Sequence, residues 1–353
     1  MIDRIIWVPV NKTTMNSKQR FMAALKLEAV DRAPTMYQHL GAADHLQRVT
    51  GITIKEGFRD HHTFCDLCLA ALKEFGHDNV MVGWGDLLMD AHAFGVELSF
   101  PNPHEYPRGK EPDIDHIERL GPVHPRDDPM WSILLDSAKY LNDKVGKEVM
   151  VLSACTEPFL LATAIRGFEN LLLDQMVDPP LVHRLVRVTT DSLKLYAVAL
   201  QEECGVEAVF LEDGIADPTQ NDLENSLAFD MAYSAELVSF MRGLGLKVVL
   251  SNCTDEGYVA EQLERVSPDG MHFRYDRKDR QELMTRMAGN KCAVLGLDPL
   301  RLIGQGDPAG IRAAAQQAAE AFGPRPGVII SAAGELPFDA PVQNVRALSE
   351  FHR

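Results

Sequence analysis

Short apolar stretches alternate with longer amphipathic stretches along most of this chain. Several of the short ones are rich in Val, Ile and Leu and lack polar–apolar alternation, which is typical of parallel strands buried on both faces. The predicted strands occupy residues 33–38, 79–84, 148–154, 207–213, 247–252, 269–274, 292–297 and 327–333. The segments between them predict helices, at residues 57–75, 180–203, 222–242, 256–266, 279–287, 308–322 and 341–353.

Eight strands with intervening helices favour an α/β fold, a closed (β/α)₈ TIM barrel. An open doubly wound sheet is the alternative, but no glycine-rich nucleotide fingerprint follows the first strand. Residues 100–126, rich in Pro, His and charge, predict a long excursion between the second and third barrel strands. The helical pattern that starts at Met15 predicts that residues 1–14 are an N-terminal extension and that residues 15–353 form a single barrel domain.

The charge balance limits the partners of the chain. Its 353 residues include 51 Asp and Glu against 35 Lys and Arg, for a net charge of −16. An acidic surface disfavours nucleic acid and anionic lipid, so we expect neither a nucleic-acid nor a membrane partner. The 6 cysteines are too sparse for a secreted disulfide framework. With no transmembrane or signal-peptide pattern either, the expectation is a cytoplasmic enzyme.

Candidate chemistry lies at the C-terminal ends of the strands, where barrels of this class carry their active sites. Glu212 and Asp213 end the fourth strand, and a carboxylate pair can divide acid and base roles or supply oxygen ligands. Cys253 follows the fifth strand directly and could act as a nucleophile or a metal ligand. We predict these three as catalytic residues, although a solvated carboxylate pair and an inert thiol are the structural alternatives. The predicted substrate-binding residues at the other strand ends are Tyr37, His39, Trp84, Asp86, Glu157, Asn252 and His272.

Several sequence blocks resemble the uroporphyrinogen decarboxylase superfamily, and within it the corrinoid-dependent methyltransferases. They include NSKQRFMAALKLEAVDRAP, FGHDNVMVGWGDLLMDAHAFGVELSFP, LGLDPLRLIGQGDP and ISAAGELPFDAPVQNVRAL. The resemblance runs from Met15 to Phe351, and it implies the same (β/α)₈ barrel. The decarboxylases carry an Arg-rich motif after the first strand, whereas here TMYQHLGAADHL contains no Arg before Arg48. The resemblance therefore points to a methyltransferase rather than a decarboxylase.

A second departure concerns zinc. The thiol-accepting members hold Zn²⁺ with His-x-Cys after the fifth strand and a Cys after the eighth. Here these positions read Ser251-Asn252-Cys253 and Gly334, so Cys253 alone remains. The resemblance implies that a Zn²⁺ ion at this site would need other ligands beside Cys253, and Glu212 is the predicted second ligand.

The resemblance also implies an activity. It predicts transfer of a methyl group from a methylated small molecule, in the first place a methoxylated aromatic, to the cobalt of a corrinoid (cobalamin) carried by a partner protein. In this O-demethylation, Glu212 or Asp213 would act as the acid that helps the oxygen leave. A thiol methyltransferase of the coenzyme M type with a substituted zinc site, and a non-catalytic relative that binds a small molecule, remain the alternatives. Relatives are often dimers, so a homodimer is also expected.

Overall fold

The computed structural model describes residues 15–83, 87–276, 283, 286–287, 289–321 and 326–352. Trp84 and Asp86, two predicted substrate-binding residues, lie outside the described residues, as does the extension 1–14. The strands are β1 (Thr35–Met36), β2 (Asn79–Val82), β3 (Glu97–Ser99), β4 (Arg108–Lys110), β5 (Met150–Thr156), β6 (Ala208–Glu212), β7 (Lys247–Asn252), β8 (Gly270–Arg274), β9 (Cys292–Leu297) and β10 (Val328–Ala332).

Helices connect the strands. They are α1 (Ser17–Leu25), α2 (Ala43–Thr50), α3 (Ile54–Gly57), α4 (His61–Phe75), α5 (Leu87–His92), α6 (Ile114–Arg119), α7 (Pro129–Val145), α8 (Pro158–Arg166), α9 (Phe168–Val177), α10 (Pro179–Glu202), α11 (Leu223–Asn225), α12 (Ala232–Gly243), α13 (Val259–Arg265), α14 (Pro308–Ala321) and α15 (Val342–Ser349). Short turns of other helical types occur at Pro125–Asp127, Ser226–Met231 and Pro299–Gly304. Within the described ranges, no helix combines the length and apolarity needed to cross a bilayer.

Eight parallel strands form a nearly closed barrel in the order β1-β10-β9-β8-β7-β6-β5-β2. The predicted (β/α)₈ barrel is thus confirmed, and each predicted strand overlaps an observed one. The remaining pair, β3 and β4, is an antiparallel hairpin after β2, in which β4 lies inside the predicted excursion 100–126 and β3 ends just before it. Parallel register aligns the strand ends, because residue pairs Thr156–Glu212, Glu212–Ser251 and Ser251–His272 lie side by side across β5 to β8.

The seam between β1 and β2 is closed mainly by side chains. The backbone N–H of Tyr37 donates to Asn79 Oδ1 (2.7 Å), and Asn79 Nδ2 donates to the Tyr37 carbonyl (2.8 Å). The Thr35 N–H donates to Asp78 Oδ2 (2.8 Å), and one backbone bond joins Asp78 N to the Thr35 carbonyl (3.0 Å). These bonds take the place of the backbone hydrogen bonds of a strand ladder, so the side chains of Asp78 and Asn79 close the barrel between β1 and β2.

Asp78 is fully buried, and two guanidinium groups neutralise it. Arg20 Nη1 lies 2.8 Å and Arg32 Nη1 2.7 Å from its oxygens. Burial alone would raise the pKa of Asp78, but the hydrogen bonds and charge of Arg32 outweigh it and hold that pKa below its usual range. The barrel interior above it is filled by apolar side chains, among them Met36, Met81, Leu152, Phe210, Val249 and Ile329.

Candidate functional site at the barrel mouth

The C-terminal ends of β6, β7 and β8 bring polar side chains together at one mouth of the barrel. Side chains alternate between the two faces of a strand, so Glu212 shares the interior face with the buried Phe210. Ser251 and His272 lie beside it in register on the next two strands. This row of side chains is the floor of the candidate site.

His39 and Glu212 form a close polar pair in the mouth. His39 Nε2 lies 2.7 Å from Glu212 Oε1, and the side chains are 8% and 17% exposed. His39 follows β1 and has a φ of 53°, a left-handed conformation that is uncommon outside glycine. Its backbone N–H is directed at Met81 Sδ (3.3 Å), and its ring edge meets Phe210. The fold therefore holds the imidazole against the carboxylate.

Cys253 lies next to His272 rather than Glu212. Its Sγ is 3.4 Å from His272 Nδ1 and 3.9 Å from Ser251 Oγ. His272 Nε2 lies 2.8 Å from the Ala332 carbonyl, so this nitrogen carries the proton, and Nδ1 accepts from Ser251 Oγ at 3.0 Å. Burial lowers the pKa of His272 to about 4 and raises the pKa of Cys253 to about 12. At neutral pH the pair is an uncharged imidazole beside an uncharged thiol.

These residues do not fit a zinc ion on their own. A zinc site needs at least three protein donors, whereas Cys253 and His272 supply two, and Glu212 is paired with His39. Gly334, at the position where the family's other Cys falls, has a φ of 99°, a backbone conformation that strains any residue with a Cβ. Among the described residues, the donor atoms that converge in a group of three lie elsewhere. Ligation of Zn²⁺ by Cys253 and Glu212 is therefore not supported by a converging donor set.

Arg274 at the end of β8 is surrounded by acidic groups. Its guanidinium lies 3.3 Å from Asp255, 3.0 Å from Asp276 and 2.8 Å from Asp298. Three carboxylates more than neutralise one guanidinium, so a substrate carboxylate would have to displace them to reach it. Arg274 is therefore not available to bind an anionic substrate in the described part of the mouth.

A cavity of about 580 Å³ opens beside the mouth, between the loops that follow β7 and β8. Its wall includes Tyr258, Phe273 and Arg274. This volume lies within the usual range for small-molecule sites, roughly 300–1,000 Å³.

The excursion after β2 also reaches the mouth, where the Tyr106 hydroxyl donates to Glu335 Oε1 at 2.6 Å. Tyr106 could not be identified from the sequence, because its partner lies 229 residues away.

Asp213 and Glu157 lie behind the mouth. Asp213 points away from Glu212, as expected for successive residues of a strand, so the predicted carboxylate pair is split between two environments. Glu157 begins α8, where it accepts hydrogen bonds from Leu160 N–H and Ser234 Oγ. Burial raises the pKa of Glu157 to about 8 and that of Asp213 to about 6.

Tyr37 and Asn252 also lie behind the row of mouth residues. The Tyr37 ring packs against Phe75 and His77 on the helical side of β1, and its hydroxyl donates to the Gly41 carbonyl (2.7 Å). Asn252 is fully buried and donates to the Ala216 carbonyl (2.9 Å) and Gln262 Oε1 (3.0 Å). Of the predicted site residues within the described ranges, the structure thus brings together His39, Glu212, Cys253 and His272.

Known proteins resemble this chain over almost its whole length. Residues 16–353 match the family described as Uroporphyrinogen decarboxylase (URO-D). A methylcobamide:CoM methyltransferase MtbA from Methanosarcina mazei is 25% identical over 88% of this chain and 90% of its own. A uroporphyrinogen decarboxylase from Anaeromyxobacter dehalogenans is 24% identical over 93% and 96%. The structure of a methyltransferase from Methanosarcina mazei superimposes with a TM-score of 0.85 at 20% identity, covering 96% and 98%.

That last likeness agrees with the barrel observed here, and the family match extends across the strands that supply the mouth residues. The chain belongs to the uroporphyrinogen decarboxylase family of (β/α)₈ barrels, which includes both decarboxylases and corrinoid-dependent methyltransferases.

Proposed function

We propose that this protein is a corrinoid-dependent methyltransferase, the O-demethylase component that moves a methyl group from a methoxylated aromatic to the cobalt of a corrinoid partner protein. The observation that carries the proposal is the His39–Glu212 pair, an acid–base couple 2.7 Å apart at the mouth. The relatives named methylcobamide:CoM methyltransferase support it, since methylcobamide is a methylated corrinoid.

The reaction needs an acid because the leaving group is a poor one. The cobalt(I) of the partner donates an electron pair to the methyl carbon, and a new C–Co bond forms. The C–O bond breaks, and its electron pair stays on the aryl oxygen. The proton shared by His39 and Glu212 moves to that oxygen, so the product leaves as a neutral phenol. Cys253 and His272, both uncharged at neutral pH, line the mouth beside this pair.

Uroporphyrinogen decarboxylation is the less favoured activity. A porphyrinogen with several carboxylates needs cations free to bind them. In the part of the mouth that the structure describes, Arg274 is already engaged by three aspartates.

The test uses purified protein, a reduced corrinoid protein and a panel of methoxyarenes, with formation of the Co–methyl absorbance as the readout. We expect Glu212→Gln to lower the rate about 100-fold, the usual size of a general-acid contribution. Glu97→Gln, at an exposed glutamate of the β3–β4 hairpin, is the matched control and keeps the wild-type rate. A wild-type protein that methylates no corrinoid from any donor would refute the proposal.

A second candidate, a thiol methyltransferase, is favoured by the contact between Cys253 Sγ and His272 Nδ1. A methylated-thiol–coenzyme M methyltransferase from Methanosarcina mazei is 21% identical over 83% of this chain. This activity would consume Co–methyl when a small thiol is added, and Cys253→Ala would abolish it. O-demethylation therefore raises the Co–methyl absorbance, whereas thiol methylation lowers it. A protein inactive in both assays would favour the non-catalytic alternative.

A further inference from the structure

Three carboxylates meet in the protein interior behind the mouth. Glu157 begins α8, Asp213 follows β6, and Asp230 lies in the turn that leads into α12. One oxygen of each lies within 4.8 Å of the other two. The side chains are buried, with residue exposures of 0%, 4% and 0%. We call these three residues the acidic cluster.

Neutral donors reach only two of the three carboxylates. Glu157 accepts from Ser234 Oγ (2.8 Å), and Asp213 accepts from the backbone N–H groups of Ile215 (2.9 Å) and Ala216 (3.2 Å). Within the described ranges, neither oxygen of Asp230 receives a hydrogen bond. A charged carboxylate buried in this way is costly, so Asp230 needs either a proton, as its raised pKa in the metal-free protein indicates, or a ligand that supplies positive charge.

Asp78 shows that this fold can supply protein cations to a buried carboxylate. Asp78, equally buried, is held by the guanidinium groups of Arg20 and Arg32. Around the acidic cluster, by contrast, no Lys, Arg or His among the described residues forms an ion pair with any of the three carboxylates. The three acidic side chains therefore lie together in the interior without a counter-charge from the described residues.

We propose that the acidic cluster is a binding site for a hard divalent cation of the Ca²⁺ or Mn²⁺ type. Oxygens that all lie within 4.8 Å of one another fit one ion, because Ca²⁺ holds oxygen ligands at about 2.4 Å and no two of its ligands then lie more than about 4.8 Å apart. The donors are all oxygens, which suits such cations better than the thiolate- and imidazole-binding metals. This site is separate from Cys253 and from the mouth.

A cation there would tie the ends of β5 and β6 to α12. It would also act on the loop that carries Cys253, because Asp213 accepts from Gln262 Nε2 and Gln262 Oε1 accepts from Asn252 Nδ2 (3.0 Å). Protons compete with the cation. Because carboxylates bind a cation only in their deprotonated form, binding strengthens as the pH rises from 5.5 to 8.5.

The experiment uses the full chain, stripped with EDTA and titrated with Mn²⁺, whose free-ion electron paramagnetic resonance signal falls on binding. We expect one Mn²⁺ per chain at pH 8.5, binding at least 10-fold weaker at pH 5.5, and displacement by Ca²⁺. Asp230→Asn should weaken binding at least 10-fold. Cys253→Ala, which alters the mouth, and Asp143→Asn, at an exposed aspartate of α7, should bind as the wild type does.

Thermal unfolding gives a second readout. Mn²⁺ should raise the melting temperature of the wild type and of Asp143→Asn, but not that of Asp230→Asn. Wild-type protein that binds no Mn²⁺ at pH 8.5, or Asp230→Asn that binds it equally well, would overturn the proposal. The wild-type titration decides the matter even if the variant fails to fold.

Discussion

The same functional group behaves differently at different places in this protein because of its neighbours. Asp78 and Asp213 are both buried aspartates, but the pKa of the first lies below its usual range and that of the second rises to about 6. Two guanidinium groups face Asp78, whereas an amide and two backbone N–H groups face Asp213. Burial raises the pKa of both, and at Asp78 the hydrogen bonds and charge of Arg32 reverse that effect.

The first prediction concerns Glu157 in metal-free protein. Its pKa rises from 4.5 to about 8 on folding, so the folded state holds a proton that the unfolded chain releases above pH 4.5. The stability from this proton is complete below pH 4.5 and is lost as the pH rises through about 8. In EDTA, the free energy of unfolding should therefore fall by more than about 1 kcal/mol between pH 5 and pH 8, on the scale of one pKa unit.

Urea unfolding at the two pH values measures this change. Glu157→Gln should make the loss smaller, because the glutamine cannot ionise while Asp213 still titrates in this interval, and Asp143→Asn should keep the full loss. A wild-type protein whose stability increases over this pH interval would contradict the assigned direction.

The second prediction concerns the thiol of Cys253, which is partly exposed while the other five cysteines are buried. Because burial raises its pKa to about 12, the thiolate fraction should grow about 10-fold per pH unit throughout pH 6–9.5. Alkylation of Cys253 by iodoacetamide, followed by mass spectrometry, should show this steady rise, whereas the cysteine of an unstructured peptide, with a thiol pKa of about 8.5, levels off above that pH. A plateau for Cys253 below pH 9 would mean that a metal or a cation stabilises the thiolate.

Among the secondary-structure elements, β1 is the weakest part of the barrel. It has two residues, and it is joined to β2 mainly through the side chains of Asp78 and Asn79. Every other neighbouring pair of barrel strands forms a parallel ladder. Local stability at the seam therefore depends on a few side-chain hydrogen bonds rather than on a row of backbone bonds.

The third prediction tests this joint. Asn79→Ala leaves the N–H and the carbonyl of Tyr37 without partners in a buried environment, so we expect a loss of about 2–4 kcal/mol in the free energy of unfolding. Asn170→Ala, at an exposed asparagine of α9, should change it by less than about 0.5 kcal/mol. Urea unfolding measures both, and equal effects would show that the seam does not depend on Asn79.

Some of these features could be predicted from the sequence and others could not. The strands were predictable because each is a short apolar run, and parallel strands put Glu212, Ser251 and His272 at one edge. The approach of His39 to Glu212 was not, since it depends on how the barrel closes. Asp230 was not predicted either, because its approach to Glu157 depends on tertiary packing. The catalytic roles of Glu212, Asp213 and Cys253 remain predictions.

In the molecule as a whole, one apolar core extends from Tyr37 to Phe351 between the barrel and its helices. A second, smaller core fills the barrel itself. The two cores share the strands as their common wall, so neither can lose its packing without exposing the other. Residues 15–353 as a single domain, and a homodimer, stay predictions.

The fourth prediction follows from this shared wall. Thermal unfolding should occur in a single cooperative transition, because no large part of the described core is separate from the rest. Far-UV circular dichroism and tryptophan fluorescence, to which the buried Trp131 contributes, should give the same midpoint. Two transitions with different midpoints would show instead that the chain contains independently stable units.

The pairing of β1 has a consequence for the way the protein is made. Its ladder partner is β10, and the hydrogen bond between Ser331 Oγ and the Met36 carbonyl spans 295 residues. A ribosome that adds about 5–20 residues per second needs roughly 15–60 s to make that length of chain. During this interval the first strand has been synthesised but its partner has not, so barrel closure is a late step in biosynthesis. Until then the apolar segment around β1 lacks its barrel partner, so the nascent chain carries an unpaired strand edge that is prone to aggregation.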